Sequence, residues 1–168
     1  WSPAQAKATM TELMAYTDVV IANEEDAEQV FGIVAAASDV TRGMIDVDAY
    51  CQVARELVKR FDLKMVAITL RESLSASENG WAALLSDGET CRHSRRYPIH
   101  VVDRVGGGDA LCAGLIYALL EGYSPAGAVE FAVAASCLKH SIPGDFNPVV
   151  VSEMLNLVGG DGSGRGQR

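Results

Sequence analysis

Residues 100–120, HVVDRVGGGDALCAGLIYALL, set three consecutive glycines directly before an aspartate at the mouth of an apolar helix. Each glycine in or beside a helix costs roughly 1 kcal/mol relative to alanine, so three together imply that something approaches the backbone closely. The β-branched run before them reads as a strand, His100–Val102, and the apolar run after them as a helix, Gly108–Glu121. Glycines at such a strand-to-helix turn leave free N–H groups at the positive end of the helix dipole, which is a site for an anion. Two familiar phosphate loops do not fit. The chain has no Gly-Lys pair, which a Walker A loop requires, and Gly106-x-Gly108 is followed by Leu111 where a dinucleotide turn needs its third glycine. A carboxylate beside a bound phosphate is repulsive unless it has chemistry to perform. Asp109 can take a proton from a hydroxyl that attacks the phosphate, while the N–H groups of Gly106, Gly107 and Gly108 stabilise the transferred charge. The alternative is a glycine turn in which Asp109 only caps the helix.

Outward from this loop, strands and helices alternate. Ser2-Pro3 starts a helix, DVVIAN is a buried strand ending at Asn23, and a short helix closes on Gly32. From Asp48 onward, Tyr50, Val53, Ala54, Leu57, Val58 and Phe61 share one helical face. KMVAITL is a second buried strand, and GWAALLSDGETCRH reads as two strands about an Asp-Gly turn. Helices over about Ser124–His140 and Val149–Val158 complete the pattern, which implies an α/β fold with a mainly parallel sheet. Residues 1–158 read as one unit, and the glycine-rich 159–168 as a flexible tail.

The net charge of −8 argues against a nucleic-acid partner, and no apolar run is long enough to span a membrane. Cys51, Cys91, Cys112 and Cys137 form no CxxC pair and are expected as reduced, buried thiols of a cytoplasmic protein. The start at Trp1-Ser2-Pro3, without an initiator methionine, suggests a piece of something longer.

The stretch DRVGGGDALCAGLI (Asp103–Ile116) resembles the C-terminal signature D-T-x-G-A-G-D of the PfkB, or ribokinase-like, carbohydrate kinases. Within that family, VDRVGGGD, VVIANEEDAEQVFG and AVAASCLKHSIPGDFN are most similar to the bacterial 2-keto-3-deoxygluconate kinases. The resemblance covers only the C-terminal portion of such an enzyme. It implies a ribokinase-like three-layer α/β/α sandwich, with ATP, Mg²⁺ and a sugar acid as small-molecule partners. It makes Asp109 the catalytic base and Gly106, Gly107 and Gly108 the anion hole. Asp103 matches a position that shapes the loop and, in many members, helps hold a monovalent cation such as K⁺. Arg104 stands where threonine is usual, which puts that cation in question; its charge could meet a substrate carboxylate or phosphate, or simply be exposed. The N-x-x-E motif becomes Asn23-Glu24-Glu25-Asp26, so Asp26 is a candidate for Mg²⁺ through water, or an acidic residue favoured by a helix start. Thr69 matches the strand end at which the ATP loop begins, with Arg71 a candidate for an ATP phosphate in a loop that lacks the usual glycines. His140 and Pro143 match the wall of the adenine pocket. The expected activity is ATP-dependent phosphorylation of a sugar acid, with a non-catalytic nucleotide-binding fragment as the alternative. Sugar-gripping residues would lie upstream, so homo-oligomerisation or association with an N-terminal half is expected.

Overall fold

The structure is a computed structural model that describes residues 2–23, 25–35 and 46–160. In chain order the elements are α1 (Pro3–Met14), β1 (Val19–Ala22), α2 (Asp26–Phe31), α3 (Val47–Phe61), β2 (Met65–Ser73), β3 (Glu78–Ser86), β4 (Cys91–His93), β5 (Tyr97–His100), α4 (Gly107–Leu120), α5 (Pro125–His140) and α6 (Val151–Gly159). Residues 161–168, most of the expected flexible tail, lie outside the described residues.

Local signals start and stop these helices as their sequences suggest. Ser2 and Gln5 form a reciprocal capping box at α1, Asp46 accepts from the amides of Asp48 and Ala49 at α3, and Ser124 caps α5 ahead of Pro125. Gly32 ends α2 in the left-handed conformation that glycine adopts freely.

Three layers result. On one sheet face Val66, Ile68, Leu70 and Leu84 pack with Tyr50, Val53, Leu57, Met14 and Phe31 of the α1–α3 layer. On the other, Ala67, Trp81, Ala83, Leu85, Tyr97 and Ile99 pack with α4 and α5 through Leu111, Leu115, Phe131 and Val133. Alternation along β2 and β3 assigns these faces, since successive side chains point opposite ways.

Three expectations require correction. The sheet is mixed: β1 pairs with β2 in parallel, but β2–β3, β3–β4 and β3–β5 are antiparallel. The reason is connection length, because β2 and β3 are joined by a short hairpin loop at residues 74–77, too short for the helical crossover that parallel pairing needs. The strand before the glycines is Tyr97–His100, not His100–Val102; the amides of Val101 and Val102 go instead to the carbonyls of Ser77 and His140. Finally, the cysteines are not all reduced. Packing of α3 on the sheet brings Cys51 to Cys91 at the start of β4, and the two form a disulfide with Cα atoms 6.0 Å apart. Cys112 and Cys137 are free thiols. No helix among the described residues is long and apolar enough to cross a membrane.

Candidate active site

The three glycines answer to three different demands. Gly106 has φ +79°, and a Cβ there would collide with the backbone carbonyl of Asp145. A Cβ on Gly107 would lie 2.6 Å from the His140 ring. A Cβ on Gly108 would meet nothing within 4 Å. Close approach by the protein's own atoms therefore explains the first two, whereas a side chain at Gly108 would enter open space.

α4 starts at Gly107, with Gly106 as an N-cap that has no side chain to satisfy the first turn. The Gly107 amide donates to the Arg104 carbonyl (3.3 Å) and that of Ala110 to the Gly106 carbonyl (2.9 Å). The amides of Gly108 and Asp109 have no acceptor among the described residues. Two donors without an acceptor at the positive end of a 14-residue helix are an arrangement that can receive an anion. The Asp109 side chain is exposed beside them and makes no hydrogen bond among the described residues, so it does not cap the helix.

α5 holds this loop from behind. Ser136 donates its hydroxyl to the Gly107 carbonyl (2.8 Å), and His140 donates from Nδ1 to the Ser136 carbonyl (2.7 Å). The His140 carbonyl in turn accepts the amides of Val102 (2.8 Å) and Asp103 (3.2 Å). The His140 ring is 3% exposed and packs on Trp81, with ring centroids 4.7 Å apart. Burial lowers its pKa below the ordinary histidine value, which favours the neutral ring. The expected place of His140 in the adenine wall is thus corrected: it faces inward and backs the glycine loop. Pro143 is exposed in the turn after α5. Asp103 accepts the amides of Val105 (3.0 Å) and Gly144 (2.8 Å), one on each oxygen, and those bonds lower its pKa.

A second cluster forms where β1 ends and β2 runs on past it. Asn23, Glu25, Thr69, Arg71 and Trp81 line a cavity of about 100 Å³. This unites three residues singled out from the sequence, though not in a loop. Thr69 and Arg71 are inside β2, paired with Ala83 and Trp81, which corrects the reading of Thr69 as a strand end. Trp81 and Glu25 were not foreseen. The strand pattern marks Trp81 as inward-facing, but only the register with Arg71 puts it in this cavity. Asn23 accepts the amides of Glu25 (2.7 Å) and Asp26 (3.0 Å), and Asp26 Oδ2 accepts the amide of Asn23 (2.8 Å). Asn23 and Asp26 thus cap α2 reciprocally. Arg104 donates to the Ala76 carbonyl of the β2–β3 hairpin (2.7 Å), tying hairpin to loop.

No group of three or more His, Cys, Asp or Glu able to hold a metal exists among the described residues. The fit to Mg²⁺ is therefore of one kind. Asp26 has one carboxylate oxygen left over from its capping bond, enough to meet an ion carried mainly by phosphates and water. Beside α4, an apolar groove of about 510 Å³ runs from Asp109 past Ala113, Tyr117 and Phe131 to Phe146 and Met154.

The family described as pfkB family carbohydrate kinase matches residues 1–149. The chain belongs to the PfkB carbohydrate kinase family. A solved structure, 2-dehydro-3-deoxygluconokinase of Thermotoga maritima, is 42% identical with a TM-score of 0.88, over 95% of this chain and 47% of that one. The 2-dehydro-3-deoxygalactonokinase of Haloferax volcanii is 27% identical over 98% of this chain and 45% of its own length. Phosphofructokinase-2 of Escherichia coli, solved in complex with potassium, shares the ribokinase-like fold at 20% identity and a TM-score of 0.63, over 89% of this chain and 43% of that one. The chain spans about half the length of the relatives it matches.

Proposed function

We infer that this PfkB chain carries the phosphoryl-transfer half of an ATP-dependent sugar-acid kinase. One observation carries the reading: an exposed Asp109 and two backbone amides at the start of α4 stand side by side without hydrogen-bond partners among the described residues. In the step this supports, a substrate hydroxyl oxygen attacks the γ-phosphorus of ATP and its proton passes to the Asp109 carboxylate. The bond from phosphorus to the ADP oxygen breaks, and the Gly108 and Asp109 amides stabilise charge on the transferred group. Gly106 and Gly107 serve as the packed frame that holds those amides. Asn23, Thr69 and Arg71 line the cavity in which a phosphate of the nucleotide would sit. Mg²⁺, met by Asp26, would offset phosphate charge. We place the reaction in the cytoplasm, although the Cys51–Cys91 bond removes the argument from reduced thiols.

The substrate we propose is 2-keto-3-deoxygluconate, supported by two relatives named for 2-dehydro-3-deoxy sugar acids. Arg104 is an unfavoured candidate for its carboxylate, since one guanidinium nitrogen is engaged by Ala76. The apolar groove beside Asp109 and the partly exposed edge strand β1 support association with the remainder of a kinase fold. A second reading, nucleotide binding without turnover, is favoured by the chain's spanning less than half of its relatives. Coupled ADP release with 2-keto-3-deoxygluconate decides between them, run on this chain and on an N-terminally extended one. Turnover only in the extended protein is expected, because positioning both partners dominates kinase catalysis. Turnover by this chain near the roughly 1–100 s⁻¹ of kinases would show that the sugar site lies within it. No turnover by either form would leave the binding-only reading.

A further inference from the structure

Among the described residues Lys139 is a charged side chain buried to 0% exposure, and the reaction above does not use it. It lies in the last turn of α5, and its ammonium donates to the Ile142 carbonyl (3.0 Å) just beyond the helix end. Its chain runs under the glycine loop, since a Cβ on Gly106 would come 3.2 Å from Lys139 Cε.

A monovalent cation needs several oxygen atoms turned toward one point, as hard cations generally do. Here both Asp103 oxygens already accept backbone amides, from Val105 and Gly144, and the Ile142 carbonyl is taken by Lys139. Each Asp103 oxygen keeps a lone pair beyond its amide bond, but the Lys139 ammonium holds the Ile142 carbonyl and would repel a second positive charge, so the site takes K⁺ only when the lysine is gone. We propose that Lys139 is a built-in replacement for the monovalent cation, holding the loop between α5 and α4 and keeping a fixed positive charge behind the loop's amides. Burying an ammonium is costly unless it is well placed. Its position favours it, because the carbonyl end of α5 attracts a cation. Lys139 is thus a positioning residue, acting on the phosphate through Gly106–Gly108. This rests on the reading of that loop as a phosphate site, but the cation claim is separately measurable.

The test compares about 0.1 M KCl with choline chloride at equal ionic strength. The wild-type protein is expected to melt at the same temperature in both salts and to bind ATP with the same affinity within about twofold. Lys139→Met is expected to bind ATP at least about tenfold more weakly in choline, to recover in K⁺, and to melt about 2 °C or more higher in K⁺. A merely structural lysine would give a loss equal in both salts, which would overturn the proposal. So would a wild-type melting temperature that rises in K⁺. If the wild type binds no ATP in either salt, the phosphate reading fails, and the melting comparison still decides the cation. Should Lys139→Met not fold, the wild-type melts decide it.

Discussion

Asp109 and His140 lie on either side of one glycine loop and have opposite needs: the first must stay open to react, the second must stay buried and neutral. Asp109→Asn keeps size and polarity but cannot accept the proton. In the complete kinase it is expected to lower kcat by about 10² or more with the ATP Kd unchanged. Lost ATP binding in a folded variant would instead mean that the carboxylate supports the loop. His140 sets a pH dependence. Its folded pKa is lowered from 6.5 mainly by burial, so the unfolded chain takes up the proton first. Stability is therefore full above about pH 6.5 and falls as pH drops toward the folded pKa, by at most about 1.4 kcal/mol per unit. Melting temperatures between pH 7.5 and 5.5 should show this fall in the wild type and less of it in His140→Gln; equal falls would assign it to other groups. Asp109 and the glycines were legible because their chemistry is local. The reasons for Gly106 and Gly107 were not, since Asp145 and His140 reach them only through the packing of α5 and the turn after it.

At the scale of elements, helix limits followed from caps and periodicity, and they were readable because those signals are short-range. Strand partners were not. RES at residues 71–73 looked like a loop for want of a β pattern. Its strand conformation comes from the ladder to Asn79–Trp81, which no local feature announces. The same hairpin makes the sheet mixed and swings Trp81 beside Arg71. The Cys51–Cys91 bond is likewise tertiary, joining α3 to β4 across 40 residues. In the chain-entropy account a loop of that size contributes about 3–5 kcal/mol. Calorimetry with and without reductant is expected to show a clearly lower melting temperature once the bond is cut, while Cys51→Ala should make reductant irrelevant. An unchanged melt on complete reduction, verified by thiol titration, would contradict this.

The whole molecule is a three-layer sandwich with one layer boundary left open. β1 is an edge strand, and Ile116 and Leu120 of α4 are 55% and 81% exposed along the side that leads from Asp109. Sequence reading captured the family and the sandwich through motifs that sit where chain connectivity and chemistry coincide. It could not supply the arrangement of α4, α5 and the β2–β3 hairpin, which turns a glycine turn into two aimed amides. The central claim is that those amides receive the triphosphate of ATP. Isothermal titration of Mg²⁺–ATP into the wild type and Gly108→Val tests it most directly. The Cβ at Gly108 meets no protein atom within 4 Å, so the fold should survive while the ligand is excluded. Saturable one-to-one binding by the wild type, lost in a Gly108→Val protein that melts normally, is the expected result. Equal binding by both proteins would contradict the account.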